Sequence, residues 1–254
     1  MKSAVVGLGI GMAHVAGYWA GADAELVAVC DAWEPRLTHV GGTFDQGNML
    51  VLKPLFSPEV LSKTWADAGC RTYADIAQVA ADDDVELVSL CTPDYLHEEH
   101  AIHLLESGKH LNLEKPVALT VDGAERVVAA ARANDRRLAI GYEFRVNPAV
   151  EELRRLVTDG ALGDVAAFSL YHYRTPFRRD KWNHWIQKKE LSGGLLIEET
   201  CHWFDLARFV TGKEVASVSA EATDRIHPDF DYEDVAYVQG RYTDGAVFQI
   251  SHAL

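Results

Sequence analysis

The chain has 254 residues, 48% hydrophobic and 24% charged, with 38 acidic against 24 basic side chains and a formal charge of −14. That apolar content builds a core and excludes disorder as the main state. The acidic field repels phosphate backbones and anionic headgroups, so neither nucleic acid nor a membrane is an expected partner. The four cysteines are scattered without a CxxC pair, no apolar run approaches the roughly 18 residues of a membrane span, and the N-terminus lacks a secretory-leader pattern. The expected setting is therefore reducing and cytoplasmic.

Taken in chain order, Ser3–Val6 is an apolar strand broken by Gly7, Gly9 and Gly11. Met12–Ala20 is expected to be a helix and Glu25–Cys30 a valine-rich strand, which together form a parallel strand–helix–strand unit. A long stretch, Val40–Lys63, with Gly41, Gly42, Pro54 and Pro58, is expected to be an irregular insertion: a surface loop or, less favoured, a lid. Val85–Cys91 is a buried-type strand, His97–Ser107 a helix stopped by Gly108, and His110–Leu113 a strand ended by Glu114-Lys115-Pro116. Thr120 caps a helix over Val121–Asn134, and Arg137–Ile140 is the next strand. This alternation predicts a doubly wound parallel sheet over residues 1–142.

After Asn147-Pro148 the pattern changes to an α+β domain over 143–254. Ala149–Val157 is an amphipathic helix and Val165–Tyr173 a strand. Leu195–Val210 is read as one helix entered through Gly193-Gly194. Val215–Thr223, Asp234–Tyr242 and Ala246–Leu254 are strands, the last two joined at Thr243-Asp244-Gly245. The expected sheet is open and largely antiparallel.

Gly7, Gly9, Ile10, Gly11 and Met12 lie between a strand and a helix, where backbone N–H groups and a helix dipole suit a pyrophosphate. A plain tight turn is the rival reading. Asp31 ends the second strand, where a carboxylate accepts hydrogen bonds from an adenosine ribose; a helix cap is its rival. The same carboxylate repels a 2′-phosphate, so NAD is favoured over NADP, with Arg36 nearby as the counterweight. Lys115, at the carboxyl end of a parallel strand, could steady a developing alkoxide or simply pair with Glu114. Glu198 and His202, spaced i and i+4, share one face of a single helix, with Asp205 close by. That pairing suits general acid–base chemistry, or a merely structural histidine. No metal is expected among Glu198, Cys201, His202 and Asp205. Trp182 and His184 precede that helix and offer an aromatic face and a polar tip to a sugar, or pack.

The segments VVGLGIGMAH, VAVCD, CTPDYLHEEHAIHLLESGKHLNLEKP, GYEFRVNP and SGGLLIEETCHWFDL, in this order, resemble the glucose–fructose oxidoreductase / inositol dehydrogenase (Gfo/Idh/MocA) family over nearly the whole chain. The resemblance implies an N-terminal Rossmann domain, a C-terminal α/β domain, and an NAD(P)-dependent redox reaction on a sugar, polyol or related carbohydrate. It implies that Lys115 and His202 are catalytic and that Glu198 stands where the family usually has Asp. It assigns Cys91, Thr92, Pro93, Leu96, His97, Glu114, Glu143 and Arg145 to segments lining the cofactor, with Phe144 where an arginine is common. The glycine turn is one residue short of the usual pattern. It further implies a homo-oligomer, dimer or tetramer, and the chain's end inside a strand at Leu254 leads to the expectation that part of the C-terminal domain is missing. Two rival functions are an NAD-dependent glycoside hydrolase using transient oxidation and a non-catalytic dinucleotide sensor. Retention of Lys115 and His202 favours the dehydrogenase or reductase.

Overall fold

Lys2–Val6 (β1) is buried on both sides from Ser3 onward, and Gly7 ends it with a φ of +89°. The computed structural model describes residues 1–45, 47, 49–175 and 182–254, excepting the Trp182 and Asn183 side chains. The chain divides into two units, Met1–Gly141 and Tyr142–Leu254.

In the first unit α1 (Gly11–Ala20) carries the chain from β1 to β2 (Glu25–Cys30). Then come α2 (Gly42–Asp45), α3 (Pro58–Ser62), β3 (Arg71–Tyr73), α4 (Ile76–Ala80), β4 (Leu87–Leu90), α5 (His97–Glu106), β5 (His110–Leu113), α6 (Val121–Ala133) and β6 (Leu138–Ile140). The six strands form one sheet of order β3-β2-β1-β4-β5-β6, every pair parallel. Side chains alternate across the pleat. Ala4 and Val6 therefore pack with Val88, Leu90, Leu104, Leu105 and Val127 on one face, while Val5 joins Leu8, Met12, Val15 and Val29 on the other. Thr120 caps α6 through its side chain, accepting from the Gly123 N–H at 3.0 Å. β3 was not foreseen: its three residues, Arg-Thr-Tyr, are mostly exposed and show no apolar run.

Among its described residues, Val40–Lys63 is anchored at several points rather than loose. Val40, Phe44 and Phe56 are buried with Trp65 against α1, and Trp65 donates its indole N–H to the Arg36 carbonyl at 2.9 Å. Burial of these rings outweighs the glycine and proline signals, and short helical turns tie the segment down.

The second unit contains α7 (Pro148–Thr158), β7 (Ala167–Tyr173), α8 (Lys189–Ser192), α9 (Leu195–Glu198), α10 (Cys201–Thr211), β8 (Val215–Thr223), β9 (Val235–Tyr242) and β10 (Val247–Ala253). Its sheet has the order β7-β10-β9-β8, with β7 parallel to β10 and the other pairs antiparallel. One face carries Trp203, Ala207 and Ile250 with Phe168 and Leu170, while Tyr171, Tyr173, Val218 and Tyr237 stand exposed.

The expected single helix Leu195–Val210 is two helices. The Thr200 N–H reaches back five residues to the Leu195 carbonyl (2.9 Å), and the Thr200 hydroxyl donates to that same oxygen (3.0 Å). This is a π-type turn reinforced by a side-chain back-bond. It separates α9 from α10, so Glu198 ends one helix and His202 begins the next.

Candidate active site

In the first unit the register places Val6 beside both Cys30 and Leu90, Leu90 beside Leu113, and Leu113 beside Ile140. The residues that follow these strand ends, Gly7, Asp31, Cys91-Thr92 and Glu114-Lys115, therefore line one carboxyl edge. The strand order reverses between β1 and β4 there, which is where open parallel sheets bind ligands.

The glycine turn fits a dinucleotide residue by residue. A Cβ on Gly7 would lie 2.3 Å from the Cys91 carbonyl oxygen, and one on Gly11 would meet Val5 at 2.8 Å, so both serve close backbone packing. A Cβ on Gly9 would meet nothing within 4 Å. That leaves open space before the α1 N-terminus, which begins at Ile10 without a side-chain cap or an acid in its first turn. The exposed Ile10 side chain borders this space, whereas the Met12 side chain is fully buried and packs the core. Thr92 adds a buried hydroxyl without a hydrogen-bond partner among the described residues. Free donors, an open cradle and an unsatisfied hydroxyl are what a pyrophosphate and its nucleosides need.

Asp31 accepts hydrogen bonds from the Leu8 N–H (2.7 Å) and the Trp33 N–H (2.8 Å), and pairs with Arg36 at 3.0 Å. It thus clamps the glycine turn to the end of β2. Arg36 also lies over the Trp33 ring, 5.0 Å from its centroid. The His97 side chain is fully buried, its ring nitrogens 2.6 Å from the Pro116 carbonyl and 2.9 Å from the Thr92 carbonyl. Burial pushes its pKa down, so a neutral ring wedges the β4 and β5 loops together. Its structural place is beneath the edge that Thr92, Pro93 and Leu96 form. Lys115 is half-buried on the same loop.

Glu114 points beneath the sheet edge to His14, Oε1 to Nε2 at 2.9 Å, and the other imidazole nitrogen meets Ser89 at 3.1 Å. Burial opposes charge on both, yet their pairing prevails. The Cys91 sulfur and Glu114 raise His14 to about 10, and the His14 contact lowers Glu114. The sequence reading missed His14, although it lies three residues past Gly11 and therefore one turn into α1.

In the second unit the His202 ring is buried at the start of α10. Tyr142 and Phe144 present their edges to it at centroid distances of 5.9 and 5.7 Å. Its Nδ1 lies 3.3 Å from Glu143 Oε2. Arg145 forks onto Asp205 with contacts of 2.8 and 2.5 Å, tying the turn Glu143–Val146 to α10. So Glu143, read from sequence as a cofactor-lining residue, is brought to the imidazole, and Asp205 goes to Arg145. Glu198 is buried at the end of α9. His184 is exposed at a φ of +52°, and the Trp182 side chain lies outside the described residues. The sequence reading also missed a cluster of His172, Glu199 and His252, which three separate elements bring together.

Comparison with known proteins gives a consistent result. Residues 1–142 match the profile of the oxidoreductase family with an NAD-binding Rossmann fold, and residues 150–253 match the Gfo/Idh/MocA C-terminal domain. D-glucoside 3-dehydrogenase of Escherichia coli is 29% identical over 232 residues, covering 89% of this chain and 58% of its own. Inositol 2-dehydrogenase of Rhizobium meliloti is 26% identical, covering 84% of this chain and 55% of its own. The chain thus spans little more than half the length of these two relatives. The crystal structure of an aldose-aldose oxidoreductase from Caulobacter crescentus, complexed with glycerol, superposes with a TM-score of 0.80 at 27% identity. It covers the whole of this chain and 70% of that one.

Proposed function

Because the chain belongs to the Gfo/Idh/MocA oxidoreductase family, we propose that it transfers a hydride between a nicotinamide cofactor and a hydroxyl-bearing carbon of a sugar, polyol or related carbohydrate. The observation that supports this most is the alignment of Gly7–Gly11, Asp31, Thr92 and Lys115 along one carboxyl edge at a strand-order reversal. The glucoside and inositol named for two relatives support the substrate class.

Gly9, Ile10 and the α1 N-terminus would hold the pyrophosphate, Asp31 the adenosine ribose, and Thr92, Pro93 and Leu96 the nicotinamide half. When bound, the cofactor supplies the hydride acceptor or donor. NAD is the preferred form, because Asp31 repels a 2′-phosphate. Lys115 donates a hydrogen bond to the reacting oxygen and stabilises negative charge developing on it. His202 takes the hydroxyl proton at Nε2 during oxidation and returns it during reduction. Glu143, facing Nδ1, holds the proton there and stabilises the imidazolium. Glu198, Trp182 and His184 are assigned to the remaining hydroxyls and the apolar face of the ring. The same reading takes the protein to be a cytoplasmic homo-oligomer.

The test is a panel of sugars and polyols with NAD⁺ and with NADP⁺, read by reduced-nicotinamide absorbance. Turnover on at least one, reduced about 10²–10³-fold in Lys115→Ala, is expected. A Lys115→Ala protein with undiminished kcat would sink the mechanism.

A further inference from the structure

His172 stands on the inner face of β7, His252 on the inner face of β10, and Glu199 in the π-type turn between α9 and α10. β7 and β10 are parallel neighbours, and His172 is paired directly with His252 in their register. Both imidazoles therefore leave the sheet on the same side. Nδ1 of His172 lies 3.1 Å from Nε2 of His252, and donor atoms of all three residues lie within 4.8 Å of one another. We propose that His172, Glu199 and His252 form a binding site for a divalent transition-metal ion of the Zn²⁺ type. The inference is independent of the redox reading.

The hydrogen bonds around the cluster assign its protons. The Thr200 hydroxyl donates to the Leu195 carbonyl at 3.0 Å, so its oxygen accepts from the His252 Nδ1–H at 2.9 Å. Nε2 of His252 then carries a lone pair, and without an ion the His172 Nδ1–H donates to it. An ion takes that proton's place. The N–H bond at His172 Nδ1 breaks and an N–H bond forms at its Nε2 by exchange with solvent, so the ring stays neutral and both facing nitrogens donate lone pairs to the metal, with no net release of a proton and no change of oxidation state.

The geometry suits such an exchange. Two nitrogens 3.1 Å apart, each about 2.05 Å from a shared ion, subtend about 98°, between the octahedral and tetrahedral values. The Thr200 contact is the outer hydrogen bond that metal-bound imidazoles usually keep, fixing the ring and its tautomer. The Trp203 ring, 4.4 Å from that of His172, limits rotation of the first ligand. Arg174 pairs with Glu199 Oε1, orienting the carboxylate while competing with an ion for its charge. Two imidazoles and one carboxylate favour Zn²⁺ or Co²⁺ over Mg²⁺ or Ca²⁺, which prefer oxygen ligands.

The experiment is calorimetric titration of the chelator-treated full chain with Zn²⁺, and optical titration with Co²⁺. One equivalent of Zn²⁺, a visible Co²⁺ band, and no comparable Mg²⁺ binding are expected. His172→Asn and His252→Asn should each weaken Zn²⁺ binding more than about tenfold. Arg174→Gln, at a partly exposed position, should tighten it several-fold by removing the competing cation. Absence of Zn²⁺ binding, undiminished binding in both histidine variants, or unchanged or weaker binding in Arg174→Gln overturns the proposal.

Discussion

Glu143 Oε2 lies 3.3 Å from Nδ1 of His202, although 59 positions separate the two in sequence (202 − 143). The Arg145–Asp205 fork, two residues further on, fixes the turn that presents Glu143. The carboxylate is largely in water, so its electrostatic contribution is screened. Glu143→Gln is accordingly expected to lower kcat by a modest factor, about three- to tenfold, with little change in KM. Arg145→Ala should act in the same direction by loosening the turn. Kinetics in which both variants match the parent would show that the carboxylate does not serve the imidazole.

The glycines of the turn divide by what a methyl group would strike. Gly9→Ala meets nothing within 4 Å of the new carbon and should leave Tm nearly unchanged while weakening dinucleotide binding. Gly7→Ala is forced into the Cys91 carbonyl at a φ of +89°, and should destabilise the fold by roughly 1–3 kcal/mol or more. Thermal melts with and without NAD⁺ separate the two. Equal melting points for both variants would contradict the assignment.

Asp31 both clamps the turn and, by the proposed reading, accepts from the ribose. Asp31→Ser is expected to shift the ratio of kcat/KM for NADP⁺ over NAD⁺ upward by about tenfold or more, because Arg36 loses its partner and the repelling charge is gone. Loss of the bonds from Leu8 and Trp33 should cost about 1–3 kcal/mol in the same protein. An unchanged cofactor ratio would count against a ribose contact.

The His14–Glu114 pair predicts a pH signature in stability. Glu114 is lowered from 4.5, so its contribution is present above that value and lost as pH falls through the folded one. His14 is raised from 6.5 to about 10, so its contribution is complete below 6.5 and lost as pH rises toward about 10. The stability difference between the parent and His14→Gln should therefore be largest between 4.5 and 6.5 and shrink on both sides. Urea unfolding across that range measures it, and a difference that does not vary with pH would mean the pair is not ionised.

Much of the first unit was legible because its signals are local. The glycine turn, the valine-rich β2, the Thr120 cap and the apolar face of α5 each lie within a dozen residues. The insertion was misjudged because Phe44, Phe56 and Trp65 are spread too far apart to show a period, and only folding gathers them. The second unit was less legible for a different reason. Period-counting assumes 3.6 residues per turn throughout, and the bond from Thr200 to Leu195 breaks that assumption inside an otherwise helical pattern. The partners of His202 and the pairing of His172 with His252 are non-local and follow from topology, which no spacing rule contains.

That widened turn has a practical consequence for anyone seeking a sturdier protein. Ironing out an irregularity between two short helices is a familiar route to a higher melting point. At Glu199-Thr200 the repair would re-aim the start of α10, and with it the imidazole of His202 that the rings of Tyr142 and Phe144 now flank. Hardening the scaffold at that spot would misdirect the side chain to which the proposed reading gives the proton.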